Sequence, residues 1–217
     1  MNLPLSKRLP RREFVNLAEL QDRFIDSIYS FERDFVIHGG TAIWRCYKGN
    51  RFSYDIDGYV QSGLKMGHVS RELAWALSKG GAKLDKARRI GRAIVAQVSN
   101  QDTQLKVEIG IRKIPRKVVR EYERVDGTFT SVLTLTPEDL ILEKVRAYSG
   151  RQYMRDLYDI YHLIGQVTEK RHIRAKLSRF IRSINPPTNQ SELPMVIYSG
   201  VSPTYDRMVD YIRASLE

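Results

Sequence analysis

The chain has 217 residues, with 36 Lys and Arg against 25 Asp and Glu, a formal charge of +11. That length suits one large domain or two small ones, and 42% hydrophobic with 10% aromatic residues excludes an intrinsically disordered chain. The positive balance points to a polyanionic partner, whether nucleic acid, nucleotide or anionic membrane, and leaves the fold open. Cys46, the single cysteine, excludes an intrachain disulfide and a Cys-rich zinc site; it suggests a reducing cytoplasm and a small core filler. No apolar run follows the basic start, Met1 to Arg12, and no stretch approaches the ~18 apolar residues of a spanning helix. The expectation is a soluble, unprocessed, cytoplasmic protein with no membrane partner.

In chain order, residues 13–32 predict an amphipathic helix, and Phe35-Val36-Ile37 a short buried strand. Gly39-Gly40 reads as a tight turn, and a second helix starts at Thr41. Residues 54–60 predict a strand, and 68–79 a helix ended by Gly80-Gly81. Two longer strands, 88–98 and 104–112, are joined by the polar turn Ser99-Asn100-Gln101-Asp102. In the second, Leu105, Val107, Ile109 and Ile111 share one face, while Lys106, Glu108, Gly110 and Arg112 share the other. A mixed, basic stretch runs to about 135, and the pattern is helical beyond it apart from a Pro/Asn/Ser-rich linker at 185–194. Thr136-Pro137-Glu138-Asp139 opens the first of these helices with a capping hydroxyl, an early Pro and acids in the first turn. The division expected is an α/β domain over residues 1–135 and a helical domain over 136–217.

The densest chemical signal is Gly39-Gly40-Thr41 followed by Asp55-Ile56-Asp57. On a strand, positions i and i+2 share a face, so Asp55 and Asp57 point the same way about 7 Å apart while Ile56 enters the core. Two ionised carboxylates so placed repel, and a divalent cation is the usual reason to keep them together. Hard oxygen ligands favour Mg²⁺ or Mn²⁺ over zinc, and His38, His68, His162 and His172 lack His-x-x-x-His spacing. The pair also reads as an ordinary exposed acidic pair at a strand end. A glycine turn ahead of a helix brings backbone N–H groups and the helix dipole to a phosphate, with the Thr41 hydroxyl added; a bare tight turn explains it equally. Glu108 either supplies the third acid of a two-metal phosphoryl-transfer site or is a solvated residue between Lys106 and Arg112.

On the helix opened by Pro137, Lys144 has Leu140, Ile141, Ala147 and Tyr148 as its i±3 and i±4 neighbours. A lysine in an apolar stripe either snorkels outward or meets a buried anion, which Asp156 or a nucleotide phosphate would supply. Asp156 and Asp159 lie three apart, so one is expected to face the cleft and the other solvent or Arg155; Asp156 is favoured for the cleft. Two basic clusters, residues 112–124 and 170–182, predict a phosphate-backbone surface, although a charge run is by default a solvated face.

The run His38-Gly39-Gly40-Thr41-Ala42-Ile43 with Arg51-Phe52-Ser53-Tyr54-Asp55-Ile56-Asp57 resembles the signature of the DNA polymerase β-type nucleotidyltransferase superfamily. Together with Pro137-Glu138-Asp139-Leu140-Ile141-Leu142-Glu143-Lys144, Arg151 and Arg155-Asp156-Leu157-Tyr158-Asp159, it is similar to the AbiEii/AbiGii toxin family, whose relatives include the MenT-type tRNA-modifying toxins. The resemblance implies an α+β, polymerase β-like fold, a mixed sheet flanked by helices, followed by a C-terminal helical bundle. It implies a toxin that transfers a nucleotide from an NTP to RNA, with the 3′ end of a tRNA as expected acceptor, and a cognate antitoxin as partner. Carried onto this chain, Asp55, Asp57 and Glu108 become metal ligands, with Lys144 and Asp156 joining them in catalysis. Gly39, Gly40, Thr41, Ser53 and Lys144 become nucleotide contacts, and Arg112, Lys113, Arg116, Lys117, Arg171 and Arg174 RNA contacts. Two departures stand out: Gly58, expected to loosen the strand end where the family has a hydrophobic residue, and Glu rather than Asp as third acid. The rival readings are a non-catalytic nucleic-acid-binding or antitoxin-binding protein on the same fold, and a protein adenylyltransferase.

Overall fold

Alternation and breakers set the element boundaries in the computed structural model, which describes residues 3–61, 66–101, 103–114 and 116–216. A short α1 (Leu5–Arg8) precedes α2 (Arg12–Tyr29), after which come β1 (Val36–His38), α3 (Gly39–Cys46), β2 (Ile56–Val60) and α4 (Met66–Lys79). Three strands follow, β3 (Lys83–Ile90), β4 (Ala93–Ser99) and β5 (Gln104–Ile111), and then a hairpin of β6 (Val118–Glu123) and β7 (Phe129–Thr134). The remainder is helical: α5 (Pro137–Arg151), α6 (Met154–Leu163), α7 (Lys170–Arg182), α8 (Leu193–Val196) and α9 (Tyr205–Ala214). Among the described residues no helix is long and apolar enough to cross a membrane.

All seven strands form one sheet in the order β3-β4-β5-β2-β1-β7-β6. It is mixed, because β2 runs parallel to β5 and β1 parallel to β7 while the other neighbours are antiparallel. This is the α+β class and mixed, helix-flanked sheet expected from the sequence. The apolar positions of β4 and β5, among them Ile94, Val98, Leu105, Val107 and Ile109, pack with Leu20, Phe24 and Ile28 of α2 and Leu73 and Leu77 of α4. A second apolar cluster joins Val36, Ile43 and Tyr47 to Leu140, Leu157, Ile160, Leu177 and Met208 of the helices. Cys46 is partly buried against both clusters, and burial pushes its thiol up to about 12, as befits a filler.

Several boundaries differ from the sequence reading, among them the start of α3, which takes in Gly39 and Gly40, and the end of α2 at Tyr29. The strand expected over 88–98 is two antiparallel strands, because Gly91 adopts φ +58° and closes a tight hairpin between Ile90 and Ala93. The basic stretch before 135 holds the β6–β7 hairpin, turned near Gly127 at φ +88°. Asp55 falls just ahead of β2, so only Asp57 of the acid pair is on the strand. Asp102, part of the expected 99–102 turn, lies outside the described residues. Elsewhere the local chemistry holds: the Thr136 hydroxyl accepts the Asp139 N–H as N-cap of α5, and α4 stops at Lys79 with Gly81 in the left-handed region.

Gly58 does not loosen its strand. A Cβ there would fall inside the Phe35 ring, which stands edge-on to Phe24 and Tyr29. The missing side chain is therefore the space that a buried aromatic fills. Gly58→Ala is expected to cost about 1–3 kcal/mol in a urea denaturation series by overpacking, and a Phe35→Leu change in the same chain should recover part of that loss.

Candidate active site

The antiparallel register His38↔Asp57 sets the start of α3 directly beside β2. Gly39 takes φ +69°, and a Cβ on it would overlap the Asp57 carboxylate, so both backbone conformation and contact require glycine. A Cβ on Gly40 would lie 2.6 Å from Ser53 Oγ and 2.7 Å from the Arg51 guanidinium. The N-terminus of α3 thus has backbone, with no side chain, facing the 51–57 segment. Thr41 is fully buried and donates its hydroxyl to the Asp55 carbonyl at 2.5 Å, while Gln21 Nε2 donates to the Ser53 carbonyl at 2.9 Å. The hydroxyl expected at a phosphate is instead a clip that fixes the main chain carrying Asp55.

Asp57 and Glu108 are paired residues of the parallel strands β2 and β5, which puts the third acid beside the second on the polar sheet face. Partial burial raises the Asp55 carboxyl above its ordinary value, and the Asp57 charge raises it further; Lys106, Arg155 and Arg151 act in the opposite sense. Among the described residues no three His, Cys, Asp or Glu side chains form a closed metal-binding group. The donor set nonetheless fits a hard divalent cation. Asp55 and Asp57 offer oxygen donors whose mutual repulsion such an ion would relieve, and Glu108 sits one strand away in register.

Behind this face lies a buried charge network. Lys144 Nζ lies 2.7 Å from Asp159 Oδ2 and 3.4 Å from Asp156 Oδ1. Arg51 forks onto Asp159 at 2.7 and 2.6 Å, and Arg151 forks onto Asp156 at 2.7 and 2.8 Å. Both aspartates are wholly buried, so neither faces solvent or Arg155, and the shorter lysine contact belongs to Asp159. Of the two outcomes the apolar neighbours left open, an outward snorkel or a buried anion, the lysine takes the second. Burial opposes ionisation of Asp159, but Arg51 and Lys144 outweigh it and hold the carboxyl below its ordinary value. Arg151 is raised chiefly by its bond to Asp156 and also feels Asp57, and Tyr153 lies 5.2 Å from the guanidinium carbons of both Arg151 and Arg155. The arginines that face the acids therefore come from the end of α5 and the start of α6.

A second cluster escaped the sequence reading. Glu143 accepts from Tyr59 at 2.7 Å and Arg112 at 2.9 Å and lies 2.9 Å from His38 Nδ1. The Tyr59 ring is sandwiched between the His38 ring at 3.8 Å and the Arg112 guanidinium at 4.0 Å. His38 and Glu143 both lie within the motifs named above, but they are 105 residues apart and meet only because the fold sets α5 against the end of β1. Of the residues expected at RNA, Arg112 is held by Glu143, Arg116 by Asp139 and Lys117 by Asp34. Lys113, Arg171 and Arg174 are exposed.

Residues 23–199 match the family model described as nucleotidyl transferase AbiEii toxin of type IV toxin–antitoxin systems. The structure is similar to JHP933 from Helicobacter pylori, at 17% identity and a TM-score of 0.63, with 95% of this chain and 91% of that one covered. It is also similar to MenT4, a nucleotidyltransferase toxin from Mycobacterium tuberculosis, at 15% identity and a TM-score of 0.61, covering 95% of this chain and 84% of that one. At these identities the likeness establishes a shared fold. No curated protein matches the sequence.

Removing one partner of the network strands the others, so Asp159→Ala is expected to lose about 3–5 kcal/mol of unfolding free energy. Because the native carboxyl of Asp159 lies below its unfolded value, its contribution is complete above the ordinary value of 3.8 and is lost as pH falls through the native value. The stability gap between wild type and Asp159→Asn, followed by urea melts across pH, should therefore narrow only on the acid side of 3.8.

Proposed function

We propose, from the premise that this chain belongs to the AbiEii nucleotidyl transferase toxin family of type IV toxin–antitoxin systems, that it transfers a nucleotide from an NTP to a 3′ hydroxyl of RNA. A tRNA is the expected acceptor and an antitoxin protein the expected neutralising partner. The observation that carries this reading is the convergence of Asp57 on the Gly39 backbone with Glu108 in register on the next strand and Arg151 and Arg155 within electrostatic reach of the acids.

In this reading Asp55, Asp57 and Glu108 hold the catalytic divalent cation. When bound, Mg²⁺ or Mn²⁺ supplies charge neutralisation at the phosphates and a lowered pKa for the attacking hydroxyl. The chain does the rest. Backbone N–H groups of Gly39 and Gly40, at the positive end of α3, receive phosphate oxygens without steric hindrance, with Ser53 Oγ opposite Gly40 as an added hydroxyl. Lys144 spends its charge on Asp159 and Asp156, so its role toward the nucleotide is to set the position of Arg151 through their shared Asp156. Arg151, with 43% of its side chain exposed, and Arg155 then face the triphosphate. The RNA hydroxyl gives up its proton to solvent as its oxygen attacks the α-phosphorus in line, the new P–O bond forms as the bond to the β-phosphate bridging oxygen breaks, and pyrophosphate leaves with that electron pair.

Incubation with each α-labelled NTP, Mg²⁺, total RNA and protein extract should label RNA; label confined to protein overturns the acceptor. Asp57→Asn is expected to cut transfer at least about a thousandfold, several kcal/mol of transition-state stabilisation, with its thermal midpoint retained. Arg155→Ala should raise the KM for NTP about tenfold, the worth of one charged hydrogen bond, and leave the urea midpoint in place because Arg155 enters no ion pair among the described residues.

A further inference from the structure

The cations expected to meet RNA after residue 111 include three already bound to carboxylates of the same chain. A different basic surface begins at the acids themselves. Asp57 pairs with Glu108, Glu108 with Val95, and Val95 with Arg88, so one row of residues crosses β2, β5, β4 and β3 in register. The row beside it reads Lys106, Gln97, Lys86. Residues in register and two apart along a strand share a face, so Arg88, Lys86 and Lys106 stand on the same side as the catalytic acids. The opposite side of these strands is the apolar one packed against α2 and α4.

These three cations and Asp55 line a cleft of about 610 Å³, together with Leu17 and Tyr54. Lys86, Arg88 and Lys106 are exposed and take part in no ion pair among the described residues, while Asp85, the acid nearest to them in sequence, is paired with Lys83 at 3.2 Å. Tyr54 adds a stacking surface. The residue is 40% exposed, and its ring is braced edge-on by Phe14 and Phe52, at 5.8 and 5.0 Å between centroids.

We propose that the open face of β3, β4 and β5 is the platform on which the single-stranded 3′ end of the RNA acceptor docks. The proposal rests on the RNA-transferase reading above and specifies where that acceptor lies. Unpaired cations beside an exposed aromatic on a sheet face are the combination that holds an unpaired strand, with phosphates on the charges and a base on the ring. The geometry favours one strand over a duplex. Two strand spacings, about 10 Å, separate β5 from β3, a strip wide enough for one backbone, and a base inside a duplex has no free face for Tyr54. A strand lying on Arg88 and Lys86 and running toward β2 brings its terminal hydroxyl to Glu108 and Asp57, where the α-phosphorus waits. Reading from the polyanion back to the acids, the platform orders phosphate contacts first and the reactive end last.

The test uses the full-length chain and a short single-stranded oligoribonucleotide with a free 3′ hydroxyl. The double variant Lys86→Glu/Arg88→Glu, changed only at exposed positions, is expected to weaken RNA binding at least tenfold in filter assays. Two lost phosphate contacts should also lower the slope of log K against log salt by about 1.4, at ~0.7 per contact for single strands. Tyr54→Ala should weaken binding about tenfold, and a duplex of the same sequence should bind the wild type less tightly than the single strand. The NTP-induced rise in thermal midpoint, which reads the nucleotide site, should persist in each variant. RNA affinity and labelling at wild-type level in Lys86→Glu/Arg88→Glu overturn the platform alone, as does loss of binding in Lys113→Glu/Arg171→Glu/Arg174→Glu with Lys86→Glu/Arg88→Glu unaffected. A wild-type chain that labels protein and no RNA overturns the acceptor reading, and the platform with it.

Discussion

Everything at this site depends on how the chain accommodates charge that it has buried. Asp156 and Asp159 lie wholly inside the protein, and three cations, Arg51, Lys144 and Arg151, close around them. Removing such groups from water is expensive, and only near-ideal geometry with fully occupied lone pairs recovers the cost. The bidentate forks of Arg51 and Arg151 provide that geometry. They also fix three parts of the chain relative to one another: the segment before β2, the middle and end of α5, and the first turns of α6. A hydrophobic replacement of the same volume would pack, but it would not dictate where the Arg51 backbone and the Arg151 head must lie. We read the network as a positioning device first and a source of stability second.

The second constraint is the close approach of backbone at the start of α3. Gly39 and Gly40 admit Asp57, Ser53 and Arg51 into space where side chains would stand, and the Thr41 hydroxyl holds the carbonyl of Asp55. The two constraints meet at Arg51, which lies against Gly40 on one side and binds Asp159 on the other. The helix N-terminus, the acid pair and the arginines of α5 and α6 are thereby connected through contacts of short range. A transfer reaction needs that kind of connection, because phosphates, ion and hydroxyl must be held together with little freedom left to lose.

Much of this was legible in the sequence where a local rule governs. The alternation of Leu105, Val107 and Ile109 with Lys106 and Glu108 gave a half-buried strand, and Thr136 before Pro137 gave a capped helix start. Lys144 among apolar neighbours left two outcomes open, an outward snorkel or a buried anion, and its burial beside Asp156 and Asp159 shows the second. What could not be read were relations between distant segments. Asp156 and Asp159 are three apart on one helix, and helical spacing alone suggested that they diverge; both turn inward because cations arrive from Arg51, more than a hundred residues away, and from α5. Gly58 looked like a weak point until Phe35 was placed in the gap. The strand expected over 88–98 failed for a local reason, since Gly91 at positive φ could have been recognised as a hairpin turn between two β-forming runs.

The net charge of +11 takes on a different meaning once its partners are counted. A cation paired with a carboxylate at 2.6 to 2.9 Å, as Arg112, Arg116 and Lys117 are, has already surrendered part of the field that a polyanion would use. Recruiting it to a phosphate means breaking one charge-assisted hydrogen bond to make another, with little net gain. Lys86, Arg88 and Lys106 carry no such debt, and they share a face with the acids. Counting basic residues along the sequence therefore ranks surfaces poorly, whereas subtracting the internal pairs ranks them by the charge left to act on a partner. The same subtraction separates two groups of basic residues here: buried or paired ones hold the scaffold in shape, and the unpaired ones beside the carboxylates keep their charge for a partner, as the proposed platform requires.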